Sequence, residues 1–386
     1  MISLSYWEKE SFFKNIDIAI IGSGIVGLTT AIYLKRENPL LHVVIFERGT
    51  LPIGASTRNA GFACFGSMTE LLDDLTSRTE EEVFDLVKAR WEGLKNLRNL
   101  IGDKILCYKP FGGFEIFKKE DQELFEKCAD KMTHINKILA QVIGRQSVFK
   151  MADEKIKPFG FEGIKHIIHN NAEGQLNTGE MMRALIKKAQ DLSIDMFFGI
   201  PIRSIEDHQN NVMLITENGW EIRAKKALVA TNGFAKQLLP NLPLEPARNQ
   251  VLITEPIDNL PFKGAFHYDR GYFYFRSVEE KGQPMRHRIL LGGGRNLAPN
   301  VEQTDQFGQT ELIQNALQTL LKTVIFPKST IKIDGWWSGI LGVGERKQPI
   351  VKMVSPSVGV AVRLGGMGVA IGSQIGNEAA KMIAGS

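Results

Sequence analysis

The sequence has few cysteines, almost no net charge and only one long apolar run. Its three cysteines, Cys64, Cys107 and Cys128, are too few for a disulfide framework and lack metal-ligand spacing, which favours a reducing, cytoplasmic setting. The 47 lysines and arginines exceed the 43 acidic residues by only four. This balance gives no basis for binding nucleic acid or an anionic membrane.

Motifs of several enzyme classes are also absent. The sequence contains no G-x-S-x-G, H-E-x-x-H or C-x-x-C. His166 and His169 are three residues apart and could share a helix face, but no third ligand is evident nearby. We therefore predict no metal site, and we assign no catalytic acid or base.

The apolar run over residues 16–34 has about the length of a membrane span. Glycines interrupt it, however, and a second strand-like run follows at residues 42–47. The preceding residues mix acids with bases and lack the basic region of a signal peptide. We interpret the region as strand, glycine turn, helix and parallel strand, and predict no membrane span.

The glycine turn in this unit fits the dinucleotide-binding pattern G-x-G-x-x-G. It reads Gly22-Ser23-Gly24-Ile25-Val26-Gly27 and opens the helix, whose N-terminus suits a pyrophosphate. Glu47 ends the second strand, where a carboxylate can bind ribose hydroxyls and disfavours a 2′-phosphate. The alternative is a glycine-rich turn followed by a glutamate in solvent.

A second glycine-rich block, Gly54 to Phe62 (GASTRNAGF), follows soon after. Its small residues, with one arginine and one asparagine, suit an extended loop along the phosphates and ribityl chain of a cofactor; a polar surface loop is the alternative. At this block the sequence resembles the D-amino-acid oxidase family of FAD enzymes. The resemblance implies FAD as the cofactor.

Three later segments extend the resemblance over nearly the whole chain. Ala230-Thr231-Asn232-Gly233 resembles the family motif beneath the adenosine, Pro201 and Ile202 fall where the family presents its backbone to adenine, and residues 365–370 resemble the flavin-contacting loop. The FAD-binding residues so implied are Gly22, Ser23, Gly24, Ile25, Val26, Gly27, Glu47, Arg48, Ala55, Ser56, Thr57, Arg58, Asn59, Ala60, Gly61, Ile202, Thr231, Asn232, Gly233, Gly366, Met367, Gly368 and Val369.

Differences from individual members of the family concern how the flavin is attached and which residues act on oxygen and on the substrate carboxylate. Residues 274–276, 289–294 and 337–339 look like stretches of glycine oxidase and γ-glutamylputrescine oxidase. Covalent members use a late cysteine or an early histidine, and this chain has no cysteine after Cys128, so non-covalent FAD is expected. Strand 289–291 lacks the oxygen-activating lysine of sarcosine oxidase, and residues 340–342 lack the carboxylate-binding arginine of glycine oxidase.

Candidate substrate-binding residues are therefore taken from the region most like the substrate-domain sheet of the family. They are Tyr274, Arg276 and Arg295, with arginine preferred because its planar fork bonds both oxygens of a carboxylate. For Arg276, a surface ion pair is the alternative.

The resemblance implies an α/β, two-domain fold. We expect a Rossmann-like FAD-binding domain with a parallel sheet over residues 1–70, 165–245 and 330–386. A substrate domain with a mainly antiparallel sheet and helices is expected over 71–164 and 246–329. The implied reaction passes hydride from the carbon beside an amine nitrogen to flavin N5, giving an imine that hydrolyses, with O2 as acceptor. The alternatives are a dehydrogenase that reduces a quinone or a carrier, and a non-catalytic FAD-binding protein.

Overall fold

The chain folds around two large β-sheets in the computed structural model, which describes residues 3–208, 210–327 and 330–385. Within these ranges the first sheet has eight strands. In spatial order six of them are Ile350–Met353, Val358–Val362, Glu221–Val229, Ile16–Ile21, Val43–Glu47 and Asp195–Phe198. The remaining two extend from the third strand: Val212–Thr216 pairs with Glu221–Val229, and Ile202–Asp207 pairs with Val212–Thr216.

Parallel pairing dominates the centre of this eight-stranded sheet. Ile16–Ile21 lies between Val43–Glu47 and Glu221–Val229 and is parallel to both. The helix Ile25–Glu37 connects the first two of these strands, as a parallel crossover requires. The predicted strand–helix–strand unit is therefore confirmed, and the carboxyl ends of its strands meet at one edge.

The second sheet has nine strands among the described residues. Its order is Ile333–Val343, Glu245–Thr254, Gln283–Gly293, Phe273–Glu280, Ala265–Tyr268, Gly113–Lys118, Ile164–Asn170 and Phe149–Met151, with Ile257–Asp258 beside Gln283–Gly293. All pairs are antiparallel except Ala265–Tyr268 with Gly113–Lys118. A separate two-stranded sheet joins Phe62–Ala63 to Gly174–Gln175.

Two strands lie in a different sheet from the one expected. The sequence placed residues 165–170 and 333–343 with the FAD-binding segments, whereas both strands pair in the nine-stranded sheet. Alternating apolar residues predict a strand but do not say which sheet receives it. The fold class itself, a parallel sheet combined with a mainly antiparallel one, is confirmed.

The two histidines considered as a pair lie on the strand Ile164–Asn170, not on a helix. A spacing of three on a strand puts them on opposite faces. His166 Nδ1 is 2.8 Å from Asp153 Oδ2, while the His169 ring stacks on Phe114. The two histidines therefore do not share a face.

Helices cover the sheets. The α-helices are Tyr6–Phe12, Ile25–Glu37, Ala55–Arg58, Met68–Asp74, Glu80–Ile101, Asp103–Leu106, Gln122–Val142, Ile156–Phe159, Thr178–Asp191, Pro299–Glu302, Glu311–Leu320 and Gly368–Gly385. Short 3-10 helices span Lys119–Asp121, Asp153–Lys155, Asn232–Gln237 and Arg295–Leu297, and Leu321–Ile325 is a π-turn. Among the described helices, none has both the length and the apolar character needed to cross a membrane.

Local sequence signals define the helix starts. Thr79 caps Glu80–Ile101 through a capping box with Glu82, and Asn177 accepts the Glu180 N–H at the start of Thr178–Asp191. Ile25–Glu37 buries most of its surface between the eight-stranded sheet and Gly368–Gly385. The helix that follows the glycine turn Gly22–Gly27, called the fingerprint below, is thus held between two packed layers.

Candidate active site

A first cavity, of about 260 Å³, lies where the central parallel strands end. Gly22 has φ +104°, and a Cβ there would lie 2.9 Å from the Ala230 carbonyl oxygen. A Cβ on Gly27 would lie only 2.0 Å from the Gly22 carbonyl oxygen. Glycine is therefore required at both positions, for the turn and for the close approach of the helix to it.

Most of the predicted cofactor residues line this first cavity. They are Gly22, Gly24, Ile25, Val26, Glu47, Arg48, Ala55, Ser56, Asn59, Ile202, Thr231, Asn232, Gly366, Gly368 and Val369. Sequence reasoning did not select several others, among them Phe46, Pro52, Glu217, Phe234, Leu341 and Leu364. These are apolar or loop residues that carry no recognisable motif.

Glu47 is held by three donors at the end of its strand. Its carboxylate accepts the Ser23 N–H at 3.0 Å, the Ser23 hydroxyl at 2.7 Å and the Gly49 N–H at 3.0 Å. The side chain is 7% exposed and lines the cavity. A carboxylate offers about four acceptor positions, so one remains for a hydroxyl in the cavity. Ser23 orients Glu47 and does not itself line the cavity.

The block from Gly54 to Gly61 is folded more tightly than the extended loop we expected. Ala55–Arg58 forms one helical turn, since small residues allow it to pack under the fingerprint. Ser56 Oγ accepts the Ile25 N–H at 2.9 Å, and Asn59 Oδ1 accepts the Gly61 N–H at 2.8 Å. The asparagine thus shapes the loop rather than pointing freely into solvent.

The same block is joined to the nine-stranded sheet. Arg58 Nη1 donates to the Ser338 carbonyl at 3.0 Å, and Trp337 Nε1 donates to the Arg58 carbonyl at 3.0 Å. Trp336, the next residue on the strand, packs into the core on the other face, as the alternation of a strand requires. The loop is therefore fixed from both sheets.

Open space and unsatisfied groups in the first cavity fit a bound dinucleotide. A Cβ on Gly54 would meet no atom within 4 Å, and one on Gly366 would come no nearer than 4.0 Å to Leu341. Thr231 Oγ1 is buried without a hydrogen-bond partner. The Arg48 guanidinium lies 3.7 Å from the centre of the Phe234 ring, and burial lowers its pKa.

A second cavity, of about 240 Å³, adjoins the first. The two share Ala55, Asn59, Leu341, Gly366 and Val369 in their walls. Of the predicted residues, Arg58, Ala60, Gly61, Met367, Tyr274 and Arg295 also line the second cavity. It lies between the glycine loops and the nine-stranded sheet.

Arg295 and Tyr274 face the second cavity from the nine-stranded sheet side. Arg295 lies 5.5 Å over the Tyr272 ring, and in the described part of the chain its guanidinium has no hydrogen-bonded or ion-paired partner. Asn249 Nδ2 donates to the Tyr274 hydroxyl at 3.0 Å. Burial raises the pKa of Tyr274 well above its usual range, so the phenol stays neutral.

Arg276 lies behind the cavity wall instead of in it. A Cβ on Gly61 would be 3.0 Å from Arg276 Nη2, and the side chain is 6% exposed. Its Nε is buried without a partner, and burial lowers the pKa of the guanidinium to about 10. The alternative of a surface ion pair is therefore wrong, since the side chain is neither exposed nor paired among the described residues. Thr57 and Gly233 also lie outside both linings.

A buried charged cluster next to the second cavity was missed by sequence reasoning. His267 Nε2 lies 3.2 Å from Glu173 Oε2, and its Nδ1 lies 3.9 Å from Glu70. Burial opposes the charge on His267, but the surrounding carboxylates outweigh it and raise its pKa to about 9. Burial raises the pKa of Glu115, on the neighbouring strand, to about 7.

The model of the family described as DAO, FAD dependent oxidoreductase, matches residues 17–382. The chain belongs to this family. As in the rest of the DAO family, its cofactor is FAD.

Similar proteins and solved structures agree with this assignment. Glycine oxidase of Bacillus subtilis (strain 168) is 22% identical, with 85% of this chain and 81% of that protein covered. The structure of glycine oxidase from Geobacillus kaustophilus superposes with a TM-score of 0.74 at 18% identity, covering 96% and 95%. L-proline dehydrogenase from P. horikoshii gives a TM-score of 0.73 at 16% identity, covering 96% and 94%.

Proposed function

We propose that FAD occupies the first cavity without a covalent bond, and that an amino acid or small amine is oxidised in the second. The observation that carries this proposal is the unpaired Arg295 in the wall of a cavity that shares five residues with the first. Glycine oxidase and L-proline dehydrogenase, by their names, act on amino acids, which supports the same substrate class.

The residues of the second cavity would do the binding and positioning. Arg295 offers a planar fork that bonds both oxygens of a carboxylate, and its guanidinium lies over the Tyr272 ring. The neutral Tyr274 hydroxyl can donate a hydrogen bond to the same substrate. Arg276 lies behind the wall at Gly61 and is therefore not proposed as the anchor.

Bound FAD supplies the hydride acceptor for oxidation of the C–N bond. The protein would hold the α-carbon of the substrate toward the first cavity, with which the second shares five lining residues. The imine product hydrolyses in water. We propose O2 as the electron acceptor; a dehydrogenase that reduces a quinone or a carrier is the alternative, which the similarity to L-proline dehydrogenase supports.

A cytoplasmic location also remains a proposal. The thiols of Cys64, Cys107 and Cys128 are all free, which supports a reducing compartment.

An anaerobic screen of amino acids and amines tests the proposed function. The substrate should bleach the flavin absorbance, and admitted oxygen should restore it if O2 is the acceptor. Recovery only with an added quinone would favour the dehydrogenase. A flavin that no amine reduces would contradict the oxidation of a C–N bond altogether and favour a non-catalytic FAD-binding protein.

Variants of Arg295 locate the anchor. Arg295→Lys and Arg295→Ala should each weaken binding of an amino-acid substrate by about 10- to 100-fold, the value of a charge-assisted hydrogen bond, with FAD content unchanged. Arg270→Lys is the matched control, since Arg270 lines the same cavity but lies 3.9 Å from the Asp269 carboxylate. Equal substrate affinity in all three variants would place the anchor elsewhere.

A further inference from the structure

Three potential metal ligands from distant parts of the chain meet beside the second cavity. Cys64 follows the strand Phe62–Ala63, Glu173 precedes Gly174–Gln175, and His267 lies on Ala265–Tyr268. One ligand atom from each residue lies within 4.8 Å of the other two, and all three side chains are buried. Among the residues that the structure describes, no other group of three or more such side chains is so arranged.

The geometry of this trio suits a tetrahedral ion. His267 Nε2 and Glu173 Oε2 are 3.2 Å apart. Two ligands at 2.0–2.1 Å from a tetrahedral zinc ion are separated by about 3.3 Å. Cys64 Sγ lies within 4.8 Å of both other ligand atoms. A tetrahedral site needs about 3.5 Å, so the sulfur would have to move by about 1 Å at most.

One atom of the trio lacks any partner. Glu173 is 1% exposed, and its Oε1 is buried without a hydrogen bond. A buried carboxylate oxygen left unsatisfied is costly, and an ion bound by both oxygens of Glu173 would remove the cost. This orphaned oxygen points to a ligand independently of the distances.

We propose that Cys64, Glu173 and His267 form a binding site for one divalent transition-metal ion of the zinc class. Sulfur, nitrogen and oxygen ligands together are those that zinc accepts. Zinc would displace the proton on the ligating nitrogen of His267 and the proton of the Cys64 thiol, and the thiolate and the Glu173 carboxylate then neutralise the divalent charge. Glu70 lies 3.9 Å from the other nitrogen of His267, where a carboxylate orients a metal-bound imidazole.

The site would remain open on one side. Cys64 and His267 line the second cavity, so its contents supply the fourth ligand. The Cys64 sulfur is also 3.6 Å from the Met367 sulfur, on the loop that the two cavities share. An anionic molecule in the cavity would thus bind the ion directly. The inference does not depend on the oxidation of an amine.

Zinc binding by the FAD-loaded protein tests the site. After equilibrium dialysis against Zn²⁺, wild type should hold one ion per flavin. Cys64→Ser and His267→Gln should each weaken binding by more than about 100-fold, since even the loss of an outer partner costs 10- to 100-fold. Cys107→Ser and His134→Gln, both at exposed side chains, are matched controls and should bind as wild type does.

Crystals of wild-type protein soaked in Zn²⁺ give a second measurement that needs no variant to fold. Anomalous scattering at the zinc edge should show one peak within bonding distance of the three ligands. No peak there, or zinc affinity equal in Cys64→Ser, His267→Gln and both controls, would overturn the proposal and leave a buried His–Glu ion pair. Zinc binding with no amine oxidation would separate this site from the proposed function.

Discussion

The two cavities differ in how the chain builds them. The first is lined largely by short continuous segments, several of them strand ends that lead into a glycine turn, so many neighbours in sequence are neighbours in the wall. The second draws single residues such as Cys64, Asn249, His267 and Arg295 from separate strands and loops. Backbone shape therefore determines the first cavity, whereas side-chain identity determines the second.

Gly27→Ala should have the largest effect, because the first cavity depends on backbone contact. Its Cβ would lie 2.0 Å from the Gly22 carbonyl oxygen, and neither backbone can yield. We expect a loss of about 3 kcal/mol in the free energy of unfolding and purification of mostly FAD-free protein. Urea denaturation and the ratio of flavin to protein absorbance measure both.

The control for this prediction is Gly179→Ala, also within a helix. Its Cβ would be no closer than 3.4 Å to any atom, so alanine should be neutral or stabilise by up to about 1 kcal/mol. If both variants had the same stability and the same FAD content, backbone contact would not determine the shape of the first cavity.

Arg276→Met tests the buried guanidinium that lies behind the wall of the second cavity. Replacing an unpaired buried cation by an apolar side chain of similar length should stabilise the substrate-free protein by about 1–3 kcal/mol. Arg295→Met, at the wall, should change the stability by less than about 0.5 kcal/mol. Chemical denaturation measures both, and destabilisation by Arg276→Met would show that the guanidinium is paired in the folded protein.

Glu47→Gln should weaken FAD binding by about 1–3 kcal/mol, as expected for the loss of one charge-assisted hydrogen bond. The rate of flavin reduction should barely change once FAD is saturating. Titration of FAD-free protein with FAD gives the affinity, with Glu245→Gln as control because that carboxylate pairs with Lys236 away from both cavities. A large loss of rate with normal FAD affinity would give Glu47 another role.

Trp337→Phe should have the smallest effect. It removes the hydrogen bond to the Arg58 carbonyl and should cost about 1 kcal/mol of stability. Trp336→Phe is the neighbouring control on the opposite face, where only packing changes. A shift in thermal midpoint no larger than that of the control would mean that the bond contributes nothing measurable.

Sequence reasoning reached the first cavity because its signals are local. The fingerprint, Glu47 and the Gly54–Gly61 block each combine residue type and position within a few residues. Glu173 and His267 meet because the strand Gly113–Lys118 pairs with Ala265–Tyr268 on one side and with Ile164–Asn170, which leads to Glu173, on the other. These strands are far apart in the chain. No short pattern reports such pairing, and the same limitation placed residues 165–170 and 333–343 with the wrong sheet.

The contacts of Arg58 with Ser338 and Trp337 couple the occupancy of the cofactor site to the rest of the molecule. A ligand that orders the Ala55–Arg58 turn also holds the strand Ile333–Val343, which pairs along its length with Glu245–Thr254. Cofactor saturation should therefore govern resistance to proteolysis in the nine-stranded sheet, whose residues Ile340 and Leu341 also line the first cavity. The cellular concentration of FAD would then determine how much of the protein escapes degradation.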